Sequence, residues 1–364
     1  MGRRTWKRRL PVSPVARDKY PAGAETRIML NEMLRGGQED GAGPRRLGSA
    51  LAHTVAATPM LPVLVIAVAT LMMVAPGFLG AANLQNMAWL FGPLLISALG
   101  ITFVFLVGGI DLSIGSTLSL ATVATAWTMR ETGLIWPGIA AGMAIGAAVG
   151  LINGLAVAVL RFPAFVHTFG MLLILRAFAM LWTGGASLGR LPIEVLRSGR
   201  GSLFGIPNLL LIGLATMLFA HILLTRLRLG RETFLVGANE RAAIYNGLRV
   251  GWVKFAAYAL CGLCSGLAGV TVVLRLGSGG PVLGDNVLLM AIAAVVLGGT
   301  SIMGGEGSAW KTLTGVAVIV LLDKGLNLIG LSFYDQAIVL GAVIIFGSAL
   351  SQLVNARLVG GRKA

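Results

Sequence analysis

Gly237-Ala-Asn-Glu-Arg-Ala-Ala-Ile-Tyr-Asn-Gly-Leu-Arg-Val250 is a charged island set between two long apolar runs. Pro207–Thr225 precedes it and Trp252–Leu274 follows, and each is long enough for a spanning helix of about 20 residues. The flanks decide the fold class, because two such runs cannot be covered by a small soluble core. The island itself reads as a short polar helix carrying Glu240, Arg241 and Arg249. A passive membrane conductor has little use for such a helix. A membrane protein moved by a soluble partner does, because a polar helix with a small apolar patch (Ala242, Ala243, Ile244, Leu248) can lie in a partner's groove. The alternative is a plain polar loop.

The whole chain repeats the pattern of the flanks. Its 364 residues are 56% hydrophobic and 12% charged, with mean hydropathy +0.85. A soluble domain carries about 25% charged residues. Apolar runs recur at Pro59–Leu79, Met87–Val107, Leu112–Thr128, Leu134–Leu160, Pro163–Thr183, Pro207–Thr225, Trp252–Leu274, Asn286–Ile302, Thr312–Ile329 and Gln336–Val354. The expected fold is therefore all-α, a polytopic membrane bundle of about ten spanning helices over residues 55–356. Before it lies a basic arm, 1–54, with eleven Lys/Arg against five Asp/Glu and no apolar core of a signal peptide. Such a composition predicts a disordered cytoplasmic arm that can touch anionic membrane lipid. After the bundle comes a tail, 357–364.

The net charge of +15 admits nucleic-acid binding in principle. The basic residues sit between spans, however, so topology explains them better, and no nucleic-acid partner is expected. With the N-terminus inside, 22 of the 29 Lys/Arg fall on the cytoplasmic side and five outside. The excess predicts N-in and C-in, with the region 226–254 cytoplasmic. The external segment 184–206 is long and polar enough to form a short cap.

Gly138, Gly142, Gly146, Gly150 and Gly154 form a stripe every fourth residue in the fourth span, and Gly262 and Gly266 repeat the device. Small residues at that spacing let helices pack backbone to backbone in lipid. Cys261 and Cys264 form C-x-x-C inside an apolar helix, which reads as two buried thiols rather than a redox or zinc site. Gly305-Glu-Gly-Ser-Ala-Trp-Lys-Thr312 lacks the second glycine of a phosphate loop and has spanning helices, not a strand, beside it. No catalytic residue, metal site or cofactor is expected, and no Ser/His/Asp arrangement is apparent.

Five intramembrane polar residues remain. Asp111 in Gly108-Gly-Ile-Asp-Leu-Ser-Ile-Gly-Ser116 costs several kcal/mol at membrane depth unless solvated or partnered. It reads equally as an N-cap at a helix break and as a hinge beside a translocation path, with Gly108, Gly109, Asp111, Ser113 and Gly115 as the moving part. Arg176, and Asp323 with Lys324, need partners on other spans, since adjacent residues do not face each other on a helix. His167 reads as a hydrogen-bonded packing residue. An ion- or proton-coupled secondary transporter built on Asp111, Arg176 and Asp323 is the rival reading.

Several of these motifs, in this order, resemble the permease subunits of ABC importers for ribose, arabinose, xylose, galactose and similar sugars. The likeness rests on Gly108–Ser116, Thr183-Gly-Gly185, the island with Gly237, Asn239, Ala242, Ala243, Gly247, Val250 and Lys254, Ala291–Ser301 with Gly304, Gly305 and Gly307, and Gly325-Leu-Asn-Leu328. It spans about residues 55–355. The resemblance implies a type II ABC importer fold, with an ABC ATPase subunit docked on Gly237, Asn239, Glu240, Ala242, Ala243 and Gly247. It further implies a second permease copy or paralogue forming a dimer, and a periplasmic or extracytoplasmic sugar-binding protein. ATP hydrolysis would lie on the separate subunit, so the chain itself is expected not to be an enzyme.

Overall fold

The computed structural model describes residues 60–332, 334–343 and 345. The basic arm 1–54, the tail 357–364 and the last part of the tenth apolar run lie outside the described residues. The described residues are helical nearly throughout. In order it forms α1 (Met60–Val74), α2 (Ala81–Leu106), α3 (Ile114–Thr132), α4 (Ile135–Gly154, continued by a π turn at Leu155–Val159) and α5 (Ala164–Thr183). A cap follows, made of α6 (Ile193–Arg200) and a two-stranded hairpin, Ser202–Leu203 with Ile206–Pro207. Then come α7 (Asn208–Arg226), α8 (Arg228–Ala238), α9 (Glu240–Tyr245), α10 (Val250–Leu276), α11 (Asp285–Leu297) and α12 (Ala309–Leu328), and residues 334–343 are helical again.

Among the described residues five helices are long and apolar enough to cross a membrane: α2, α4 with its π turn, α5, α7 and α10. α1 and α11 are apolar but shorter, and the 19-residue α3 and 20-residue α12 carry more polar side chains. The apolar run at Asn286–Ile302 is the largest departure from the sequence reading. Its helix ends at Leu297, because the chain on both sides folds back into the bundle. Ahead of it, Gly280 exchanges hydrogen bonds with Thr122 (3.0 and 3.1 Å), and Ser119 accepts from the Gly284 amide at 2.8 Å. Beyond it, residues 298–308 form a loop whose Gly305 amide donates to Leu106 at 3.0 Å. These are buried polar contacts that a straight helix could not make.

α2 and α10 are the axis of the bundle, with 83% and 78% of their apolar stretches buried, against 17% for α5. α10 packs on α4, α2 and α3. The glycine stripe is what lets it approach α4. A Cβ on Gly146 would stand 2.6 Å from the Gly266 backbone, and one on Gly150 would stand 2.8 Å from the Tyr258 carbonyl. Gly142 faces Thr125 of α3 and Val270 of α10. Contact at that range needs bare backbone on both helices.

Candidate functional site

α2 ends where Gly108 turns the chain into the left-handed region, φ +70°, a conformation glycine adopts without strain. The turn lets the Gly109 amide donate back to the Val104 carbonyl at 2.9 Å. Gly109 has a second, steric reason: a Cβ there would lie 2.7 Å from the Tyr258 hydroxyl of α10. That hydroxyl donates to the Ile110 carbonyl at 3.1 Å and so pins the loop to the central helix.

Asp111 follows, 5% exposed. Its Oδ1 accepts from the Ser113 amide (2.9 Å) and the Ser113 hydroxyl (2.6 Å). Asn153 of α4 donates to the Ser113 hydroxyl at 2.8 Å and reaches Asp111 Oδ2 at 3.4 Å. His167 Nε2 stands 3.1 Å from Asn153 Oδ1 and donates to it, since that amide oxygen only accepts. The loop is thus tied to α4, α5 and α10 through one buried polar network. No cation lies within ion-pair distance of Asp111 among the described residues. The buried carboxyl is held by hydrogen bonds, which is the requirement for burying a polar group.

Two sequence readings change here. Asp111 is not the N-cap of α3. Ser113 is, and Asp111 binds it from two residues ahead, which starts the helix at Ile114 rather than Leu112. The two thiols are free and buried, as their apolar helix implied. Ser, His and Asp side chains do gather, through Asn153, a residue that gave no signal in the sequence because it hides in the glycine stripe. The arrangement is closed rather than reactive: the Ser113 hydroxyl donates to Asp111, and the His167 ring nitrogen is bonded to Asn153 rather than to Ser113.

Beside this network opens a cleft of about 640 Å³. Gly108, Gly109 and Tyr258 line it on one side, Arg161 and Phe162 on another, and Glu240 with Lys254 at the polar helix. Glu240 and Lys254 form an ion pair at 2.8 Å, with half of the Glu240 side chain exposed. The structure therefore brings the Gly108–Gly109 turn and the charged island to one cavity, although 130 residues of sequence separate them. Asp111, Ser113 and Gly115 do not line it. Gly115 faces the start of α11, where its Cβ would stand 2.8 Å from the Gly284 carbonyl.

The island is two helices, not one. α8 escapes the sequence reading, although Leu229, Thr233 and Val236 mark its inner face. Its end is pressed against α2: a Cβ on Gly237 would overlap the Leu106 carbonyl and stand 2.5 Å from the Gly305 amide. Asn239 caps α9, its Oδ1 accepting from the Ala242 amide at 3.0 Å. Ala243 is buried against the bundle, so the apolar patch expected on the outer face is instead Ala242, Ile244 and Tyr245, the last 89% exposed. Gly247 ends the segment at φ +77°.

Arg176 of α5 pairs with Asp285, the first residue of α11, at 3.0 Å. Asp323 and Lys324 pair with each other, also at 3.0 Å, against the expectation that neighbours on a helix stay apart. A lysine side chain is long and flexible enough to curl across the 100° between adjacent positions. Lys311 is spent locally as well, its Nζ donating to the Gly299 carbonyl at 3.2 Å. Among the described residues no three His, Cys, Asp or Glu side chains gather as metal ligands.

Residues 83–347, more than half of the chain, match the family described as the permease component of the branched-chain amino acid transport system. The ribose import permease protein of Escherichia coli K12 is 38% identical over 293 residues, covering 78% of this chain and 89% of its own. The ribose import permease protein of Bacillus subtilis 168 is 36% identical over 289 residues, 77% and 88% of the two chains. The galactose/methyl galactoside import permease protein of Escherichia coli K12 is 33% identical over 316 residues, 81% and 94%. No solved structure matches the chain.

Proposed function

The chain belongs to the family of transport-system permease components, and from that premise we propose that it carries a monosaccharide across the bacterial cytoplasmic membrane. Its substrate class follows its relatives, which import ribose, allose and galactose. It is a multi-pass membrane subunit of an ABC importer. An ABC ATPase subunit would drive it, an extracytoplasmic sugar-binding protein would supply it, and a second permease copy or paralogue would complete it.

The observation that carries this reading is the shared cleft. A helix meant to be pushed must touch something that moves. α9 reaches through Glu240, paired with Lys254 of α10, to the cavity whose other wall is the Gly108–Gly109 turn, and that turn is pinned to the axial helix α10. Displacing α9 would load α10 and the turn together, and tilting of the axial helices would open a path to one side and then the other. The exposed Ile244 and Tyr245 offer the apolar contact for the motor. The ion-coupled alternative gains no support, because Arg176 and Asp323 are each closed in an ion pair.

The test is to purify the tagged chain from native membranes in mild detergent and identify what accompanies it. An ATPase together with a soluble sugar-binding protein supports the importer, and a second permease in the complex makes it a heterodimer. A solitary chain that sustains uptake when ATP is depleted would overturn the reading.

A further inference from the structure

Among the described residues, a pocket at the other end of the bundle is lined by two cations and no carboxylate. α10 starts beside α9 and runs 27 residues, about 40 Å at 1.5 Å per residue, so Arg275 in its last turn lies far from the cleft. There Arg275 and Lys324 line a cavity of about 360 Å³ with Asn83, Asn86, Trp89 and Asn327. Half-buried Arg275 makes no ion pair among the described residues. Asp323 acts on it through space, but that carboxylate is in contact with Lys324 at 3.0 Å. One carboxylate is thus shared by two cations. A third cation stands beside them, the Arg200 guanidinium 5.9 Å over the Trp89 ring.

Trp89 supplies an independent observation. Its Nε1 is buried and has no acceptor among the described residues. Buried N–H groups are nearly always paired, so an orphan at a cavity wall marks a missing partner. A basic residue in the last turn of a helix is favoured by the helix dipole, and that alone would account for Arg275. It accounts for neither Lys324, which is on another helix, nor the orphan indole.

The shared chemistry of these groups is donation. A guanidinium fork, an ammonium and an indole N–H fit an acceptor that offers several oxygens and negative charge. We propose that this pocket binds an oxyanion, a carboxylate or a phosphate group. The oxyanion can belong to a small acidic solute, to a phospholipid headgroup or to a free anion.

The experiment uses the purified full-length chain in a neutral detergent. Thermal unfolding is followed while sodium phosphate or sodium glucuronate is titrated against sodium chloride at equal ionic strength. A parallel set uses lipid discs of phosphatidylcholine with and without phosphatidylglycerol. The expected result is a saturable rise in Tm with an oxyanion that chloride does not reproduce. Arg275→Gln weakens that response about tenfold or more, the size expected for loss of a charge-assisted contact. Lys324→Gln and Trp89→Phe weaken it as well, and they carry the test if Arg275→Gln does not fold. The exposed Arg130→Gln leaves it unchanged. A response to glucuronate alone assigns the anion to a solute, to phosphate alone to a free anion, and to phosphatidylglycerol discs alone to lipid. An equal response to chloride, or an undiminished response in all three pocket variants, overturns the proposal.

Discussion

At the residue scale the buried network around Asp111 makes the sharpest prediction. Asp111→Ala strands the Ser113 amide and the Ser113 hydroxyl at once. Each buried donor left without an acceptor costs about 1–3 kcal/mol, so the variant should lose most of its stability margin. Its denaturation midpoint in detergent checks this, and an unchanged midpoint would remove the network from the list of things that hold the loop. Gly237 and Gly247 make a contrasting pair. Gly237→Ala drives a methyl into the Leu106 and Gly305 backbone, which cannot move aside cheaply. Gly247→Ala meets open space and suffers only its left-handed φ, about 1–3 kcal/mol of local strain. Uptake should therefore collapse in the first and be reduced in the second. Asp111 was legible in the sequence because a charge stands out in an apolar run. Asn153 was not, because an asparagine shows its importance only through what it touches 42 residues away.

Elements carry two further expectations. Gly146→Ala and Gly170→Ala are the same change on neighbouring helices. The first inserts a methyl 2.6 Å from the Gly266 backbone, whereas nothing lies within 4 Å of the second. Melting should fall by several degrees for Gly146→Ala. For Gly170→Ala it should hold or rise, since alanine exceeds glycine in helix propensity by about 1 kcal/mol. Equal effects would mean that the α4–α10 contact is not limiting. The Glu240–Lys254 pair is partly exposed and is worth about 0–1 kcal/mol to stability. Glu240→Lys should leave melting nearly unchanged yet impair uptake, and adding Lys254→Glu should restore it. Failure of the double variant to recover would detach the ion pair from coupling.

For the whole molecule the expected orientation, N-in and C-in, places α9 in the cytoplasm and the cap outside. Cys261 and Cys264 are buried, so native thiols give little background to impermeant reagents. Tyr245→Cys and Phe204→Cys, at positions 89% and 94% exposed, then report the two faces separately. Tyr245→Cys should react only when the cytoplasmic face is open to reagent, Phe204→Cys from outside in intact cells. Labelling from a single side would overturn the threading. Among the described residues five helices meet the length and apolarity of a span on their own terms, and the others are shorter or more polar.

Runs of apolar residues, the four-residue glycine period, the polar island and the excess of positive charge on one side are properties of a linear string. They determined by themselves that this is a helical membrane bundle with a polar helix between spans. Lipid enforces that conclusion locally, because each spanning segment must satisfy its own backbone. Partnership is different. That Asp111 meets Asn153, that Arg176 meets Asp285, and that Glu240 shares a cavity with Gly109 all depend on how helices cross. So does the meeting of Arg275, Lys324 and Trp89 in one pocket. Crossing is set by side-chain packing summed over many residues far apart in the chain, and a distance of 3 Å between side chains exists only once that packing is complete.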